Sequence, residues 1–186
     1  MDDGTHQAPG TPATPGTQDP HAEAIADFWE VARGHAGIGE LAMVTGSGPG
    51  LATPPPAWSF GDNPGLADEL LSLVLDGTKT ATSSAAESYE HDGVPMPAVG
   101  DLSILLDGGG WPRALIRTTS VEVVPFAEVP ADLAAAEGED DRSLDSWRRE
   151  HEVYFRRVLE GTGVEFGPAL PVVTERFEVV YQVPRP

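Results

Sequence analysis

The chain has 186 residues, no cysteine, and 30 acidic against 11 basic side chains, giving a formal charge of −19. These values exclude disulfides, thiolate metal sites and a cysteine nucleophile. A field of that sign opposes broad, sequence-indifferent binding to nucleic acid and leaves room only for a small electropositive cleft; the same acidity is that of a highly soluble or halotolerant protein. No apolar run approaches the ~20 residues needed to cross a bilayer, and MDDGTHQAPG at the start has neither a basic nor an apolar stretch, so a cytoplasmic protein without a membrane partner is expected.

Residues 1–20 carry Pro9, Pro12 and Pro15 among Thr, Gly and Ala and have almost nothing to bury, which predicts a disordered tail leaning to polyproline II. Residues 21–186 are expected to form one domain, with its core over 60–181. After Asp19 and Pro20, the residues Ile25, Phe28, Trp29 and Ala32 recur at helical spacing up to Gly34. Residues 45–59 read as a loop in which Pro54, Pro55 and Pro56 exclude helix; GSGPG is too short for a phosphate-binding fingerprint, and Ser47 lacks the glycine a nucleophile elbow needs.

Asp62 and Asn63 before Pro64 open a second helix with Leu66, Leu70, Leu73 and Val74 on one face, and Gly77 ends it. The Thr- and Ser-rich stretch behind it favours a strand. Residues 99–107 and 112–124, joined by GGG, read as a hairpin with Leu115, Arg117, Thr119 and Val121 on one face. AEVPADLAAAEG reads as helix, and Ser143 caps another with a seam of Leu144, Trp147, His151, Tyr154, Phe155 and Val158, ending near Gly161. PVVTERFEVVYQV closes the chain as a strand, so an α+β fold with a small, mostly antiparallel curved sheet or barrel is expected.

Lys79, in GTKTATSS, is the only lysine of the chain. A lysine offers what arginine does not: a compact charge able to act as a base once buried. Thr78, Thr80, Thr82, Ser83 and Ser84 surround it with hydroxyls. On a regular strand Lys79, Ala81 and Ser83 share one face and Thr80, Thr82 and Ser84 the other, so Lys79 meets Thr82 only if the segment bends; a Thr-rich strand with its lysine in solvent fits the pattern equally. Glu137, Glu139, Asp140 and Asp141 crowd a loop that matches no EF-hand and has no neighbouring histidine, which reads as a solvated acidic loop unless one carboxylate turns inward to Lys79. His151 sits on an apolar helix side, where a hydrogen-bonded core histidine is the commoner state. Arg148, Arg149, Arg156 and Arg157 interleave with Trp147, Tyr154 and Phe155, a pattern fitting either base stacking or a core seam with a basic solvent face.

The blocks FGDNPGLADELLSLVLDGTKTATSS, PAVGDLSILLDG, PRALIRTTSVEVVPFAEV, AEGEDDRSLDSWRREHEVYF and VVTERFEVVY, in that order from Phe60 to Tyr181, resemble the ASCH-domain proteins. The resemblance implies a PUA-like β-barrel surrounded by helices, with a cleft for RNA or a nucleotide-sized ligand. It implies an activity among those of the family: N4-acylcytidine amidohydrolase, metal-dependent ribonuclease, or RNA binding alone. It places Thr82 as nucleophile, Lys79 as its activator, and the acidic position at Glu137, with Glu139 or Asp140 as alternatives. Substrate contacts are expected from Thr80, Ser84, Tyr89, Arg117, Arg142, Arg148 and His151, with Arg117 or backbone N–H groups facing an oxyanion. No resident cofactor is expected, and a divalent metal only for the ribonuclease version. TKTATSSAAESYE departs from the short amidohydrolases, which carry an arginine soon after the threonine. A non-catalytic RNA- or nucleotide-binding module is the second expectation, and an adaptor acting through the proline-rich tail the third.

Overall fold

The computed structural model describes residues 19–35 and 53–183. Nearly all of the expected tail, and the loop segment 45–52 with Ser47 and GSGPG, lie outside them. The described elements are α1 (Pro20–His35), β1 (Ala57–Trp58), α2 (Pro64–Leu75), β2 (Ala81–Ala85), α3 (Ala86–Asp92), β3 (Leu102–Leu106), β4 (Pro112–Pro125), a 3₁₀ turn (Phe126–Glu128), α4 (Ala131–Glu137), α5 (Leu144–Val158) and β5 (Pro171–Gln182).

The expected α+β class holds, but the sheet is not a barrel. Its five strands run in the order β1-β3-β4-β5-β2, so β1 and β2 are free edges. Closure would need two edges long enough to pair, and here one edge has two residues and the other five. The long central pair, β4 and β5, is antiparallel, and bulges between Leu115 and Ile116 and between Thr118 and Ser120 break its alternation. Leu115, Arg117, Thr119 and Val121 therefore do not keep the single face that a regular strand would give them, because each bulge turns the following residues. Two further elements were missed. Proline-flanked Ala57 and Trp58 pair in parallel with β3, and AESYEHD, read as a continuation of strand, turns into α3, which ends at Gly93 with a left-handed φ of 65°.

Three apolar clusters hold the layers together. Helices α4 and α5 pack Leu133, Trp147 and Phe155 against Ala81, Ala85 and Val172 of the sheet. Helix α2 packs Leu70, Leu71 and Val74 with Phe60 and Phe177. Helix α1 sets Phe28, Trp29 and Ala32 on Ile104 and Leu115. Each large side chain so buried contributes about 1.5–3 kcal/mol.

The start and stop of α2 fix where β2 begins. Asn63 accepts a hydrogen bond from Leu66 N at 3.0 Å with Pro64 in the first turn. At the other end Gly77, with φ 75°, forms a Schellman motif: Gly77 N donates to Val74 O (2.9 Å), and Thr78 N and Lys79 N donate to Leu73 O (2.9 and 3.0 Å). The lysine thus leaves the helix at a set angle. Replacing the cap, Asn63→Ala, should lower the unfolding free energy by about 1 kcal/mol in urea titration, without changing the fold seen by circular dichroism.

Candidate functional site

Lys79 is buried, with 1% of its surface exposed, and so is Glu137. Lys79 Nζ donates to Glu137 Oε2 at 3.2 Å and to Glu139 Oε1 at 2.6 Å, and lies over the Phe60 ring, 5.2 Å from its centroid. The other oxygen of Glu137 accepts from Ser83 Oγ (2.6 Å) and Trp147 Nε1 (2.7 Å), with His151 Nε2 at 3.6 Å. Burial by itself would raise the Glu137 pKa; the ammonium of Lys79, together with His151 and the Ser83 hydrogen bond, outweighs burial and holds this carboxyl well below the usual carboxylate range.

Local backbone chemistry brings these groups together. Helix α4 ends at Gly138 with φ 73°, and a Cβ there would stand 2.7 Å from Thr78 O, so only glycine lets the two chains approach. Thr80 N then donates to Ala136 O at 2.7 Å, locking the end of α4 onto the residues entering β2. Ser143 caps α5 by accepting from Ser146 N. The first turns of α5 present Trp147 and His151, their rings stacked with centroids 4.1 Å apart at 17°. His151 Nδ1 lies 3.0 Å from Trp147 O, so the histidine is both a core residue and a neighbour of Glu137.

A cleft of about 450 Å³ opens between α2, the end of α4 and α5. Leu70, Leu73, Trp147, His151, Glu139 and Arg149 are among the residues that line it. Glu139 alone both touches Lys79 and lines this cleft. A second hollow of about 400 Å³, lined by Lys79, Thr80 and Phe177, lies between the end of α2 and β5.

The remaining candidates are dispersed. Thr82 pairs across the ladder with Glu175 of β5, whereas Ser83, the next residue, points to Glu137; successive strand residues face opposite ways, so Thr82 stands on the face away from the Lys79 ion pair. Ser84, on the same face as Thr82, shares a hydrogen bond of 2.7 Å with the Tyr89 hydroxyl. Thr80 is exposed and directed to Ala136 O. Arg117 pairs with Glu178 at 3.2 Å on the sheet, Arg142 Nε donates to Ala135 O at 3.4 Å, and Arg148 donates to Ala127 O at 3.0 Å. Sequence reasoning did not single out Trp147 Nε1 as a donor, nor Phe60, Thr118 or Glu175. A tryptophan in a helical seam reads as core, and cross-strand partners become visible only with the register. The donor set for a metal, implied by ribonuclease-like relatives, does not fit: among the described residues no three His, Cys, Asp or Glu side chains gather to hold an ion, and both Glu137 and Glu139 are engaged by Lys79.

An open curved sheet whose edge strand leads a buried lysine to the wall of an interhelical cleft defines an α+β cleft-binding domain. The chain belongs to the ASCH domain family, whose sequence profile matches residues 56–181. It is similar to a crystal structure of a DUF984 protein from Enterococcus faecalis, 32% identical, with a TM-score of 0.68 over 84% of this chain and 88% of that one. It is also similar to the crystal structure of an ASCH domain from Lactobacillus crispatus, 27% identical, with a TM-score of 0.69 over 88% of this chain and 96% of that one. No curated protein sequence matches the chain. Among the described residues no helix is long and apolar enough to cross a membrane.

Two outcomes test the ion pair. Lys79→Met should lose about 3–5 kcal/mol of stability, because it leaves Glu137 charged and buried without its cation; adding Glu137→Gln should recover part of that loss in the same denaturation assay. The pKa of Glu137 is depressed on folding, so its contribution is present above the ordinary value near 4.5 and is lost as pH falls below it. Urea midpoints of the wild type should therefore drop on acidification below that value, and Glu137→Gln should flatten the drop while lowering stability at neutral pH.

Proposed function

We propose that this ASCH-domain protein binds RNA or a modified nucleoside in the cleft between α2, α4 and α5 and hydrolyses a bond of the bound ligand. The observation that carries this reading is the burial of the chain's only lysine in an ion pair with Glu137 at 3.2 Å, with Glu139 joining it to the cleft wall. Buried ion pairs contribute little net stability compared with an apolar core, and charged groups with perturbed ionisation beside a cleft mark sites of chemistry. The stacked Trp147 and His151 give a base a flat surface, and Arg149 lines the same cleft.

In this reading Lys79 orients both carboxylates. Glu137, held ionised by its partners, anchors the lysine, and Glu139 is the carboxylate placed to exchange a proton with the ligand. The attacking group is a water or Thr82. Backbone N–H groups would face the oxyanion of an acyl substrate. An amidase acting on an acylated cytidine and a phosphodiesterase acting on RNA both use these parts, and no step passes through a metal.

A second reading, a binding module without chemistry, draws support from the saturation of Lys79 and Glu137 by one another. Incubating pure protein with N4-acetylcytidine and with single-stranded RNA, with and without divalent cations, and reading products by mass spectrometry separates the two. The expected outcome is product from one substrate and at least a 100-fold loss in Glu139→Gln, of the order general acid–base catalysis supplies. Binding without any product, weakening steeply with salt, would leave the module in its place.

A further inference from the structure

The sequence pairs Thr82 with Lys79, and the fold parts them. Lys79 donates to two carboxylates on one side of the β2 edge, while Thr82 looks out on the other. What stands opposite Thr82 is Glu175, its cross-strand partner in the antiparallel ladder; side chains so paired have Cβ atoms about 4.5–5.5 Å apart. Glu175 is half-buried, and one of its oxygens accepts from the buried Thr118 hydroxyl at 2.6 Å. Among the described residues no cation pairs with Glu175, and Thr118 is the only side chain that donates to it. The Ser84 and Tyr89 hydroxyls, 2.7 Å apart, flank the same face.

We propose that the base serving Thr82 is Glu175, and that the two form a nucleophile pair in a recess on the opposite side of β2 from the lysine, for a small neutral acyl compound. The acyl reaction itself rests on the hydrolase reading above. Thr82 Oγ1 bonds to the acyl carbonyl carbon as its proton passes to Glu175. Collapse of the adduct breaks the bond to the leaving group, which takes that proton. Glu175 next accepts a proton from water, whose oxygen attacks the threonyl ester; the acid leaves and the proton returns to Thr82 Oγ1.

Three features suit the recess to this chemistry. Thr82, Ser84, Tyr89 and Glu175 are all only half-buried, so a ligand reaches them. The segment from α3 to β3 is tied to the recess at both ends, by Val94 N to Tyr89 O (3.0 Å) and Gly100 N to Thr118 O (2.9 Å), and carries exposed Val94, Met96 and Val99, an apolar lip for an acyl group. Burial raises the Glu175 carboxyl above its ordinary value against the Thr118 hydrogen bond, which lowers it, and Asp101, which raises it further. The titratable groups bearing on it are Asp101, from the turn before β3, and Tyr89 of α3, itself influenced by Tyr154 of α5.

The test uses p-nitrophenyl acetate on the full chain, with acetylation of Thr82 followed by peptide mass spectrometry from pH 4 to 8. Background at lysine is small, because the single lysine is buried. The expected result is an adduct on Thr82 that Thr82→Ser preserves on the serine and Thr82→Val abolishes, and a rate lowered about 100-fold in Glu175→Gln. Glu175→Gln is nearly isosteric and keeps an acceptor for Thr118. Thr118→Val removes the hydrogen bond that favours the ionised carboxylate, so the acid limb of the rate profile should move to higher pH, a shift that a merely structural glutamate would not produce. An unchanged rate in Glu175→Gln, or no Thr82 adduct on folded wild type, overturns the proposal. Natural-substrate turnover is read separately: the hydrolase reading fails if no product forms while Thr82 still acetylates, and survives through water attack if Thr82 stays unmodified.

Discussion

The fold around the site turns on one carboxylate. Glu137 receives hydrogen bonds from Lys79 behind α2, from Ser83 on β2 and from Trp147 on α5, and it is itself the last residue of α4. Four elements are therefore tied to a side chain that is 1% exposed. A buried charge tolerates no missing partner, so the condition that Glu137 be satisfied dictates the Gly138 turn, the close pass of Thr78, and the angle at which Lys79 leaves its Schellman cap. The same condition explains why the chain, otherwise reliant on arginine, has lysine there. A compact ammonium reaches two carboxylates past the Phe60 ring, where a planar guanidinium would demand a broader, flatter opening.

Edge strand β2 then separates two environments with one short sequence. Ala81, Ser83 and Ala85 are buried toward the helices, while Thr82 and Ser84 face the half-buried glutamate and tyrosine hydroxyl. The alternation works because β2 is too short to bulge and its register with β5 runs unbroken from Ala81 to Ala85. Elsewhere in the same sheet, β4 bulges twice. A bend of that kind in β2 would have turned Thr82 toward the lysine, and its absence is what divides the motif.

Local signals were legible where the chain's own chemistry closes an element. The Asn63 and Ser143 caps, the Gly77 stop and the amphipathic seam of α5 all appear where their residues place them. The alternative that Lys79 meets an inward-turned carboxylate was also readable, because a long acidic run needs only one member to turn inward. What composition and period could not carry was anything set by pairing. Neither the open sheet nor β1, a strand of two residues supported by its neighbour, follows from local preference, and Glu175 meets Thr82 only through a register built across 93 residues of intervening chain. Helix α3 was missed for a different reason: its residues continue the polar composition of β2, and the helix is fixed by the Gly93 cap rather than by an apolar stripe.

Charge bears on which ligand the cleft accepts. Its rim carries Glu69, Glu139, Asp140 and Glu150, against Arg149 as its one arginine, and Arg149 is itself paired with Asp140 and Glu150. The remaining arginines of α5 are also engaged: Arg148 with Ala127 O, Arg156 with Glu152, and Arg157 with Asp62. A strand of phosphates entering this cleft meets carboxylates before it meets a free guanidinium, and the net charge of −19 adds to that barrier. A neutral nucleoside meets no such barrier: its base can lie on the Trp147–His151 stack and its amide or hydroxyl groups can donate to Glu139. Within the proposed function, the electrostatics thus favour a small modified nucleoside over a polymer, and amide hydrolysis over phosphodiester cleavage.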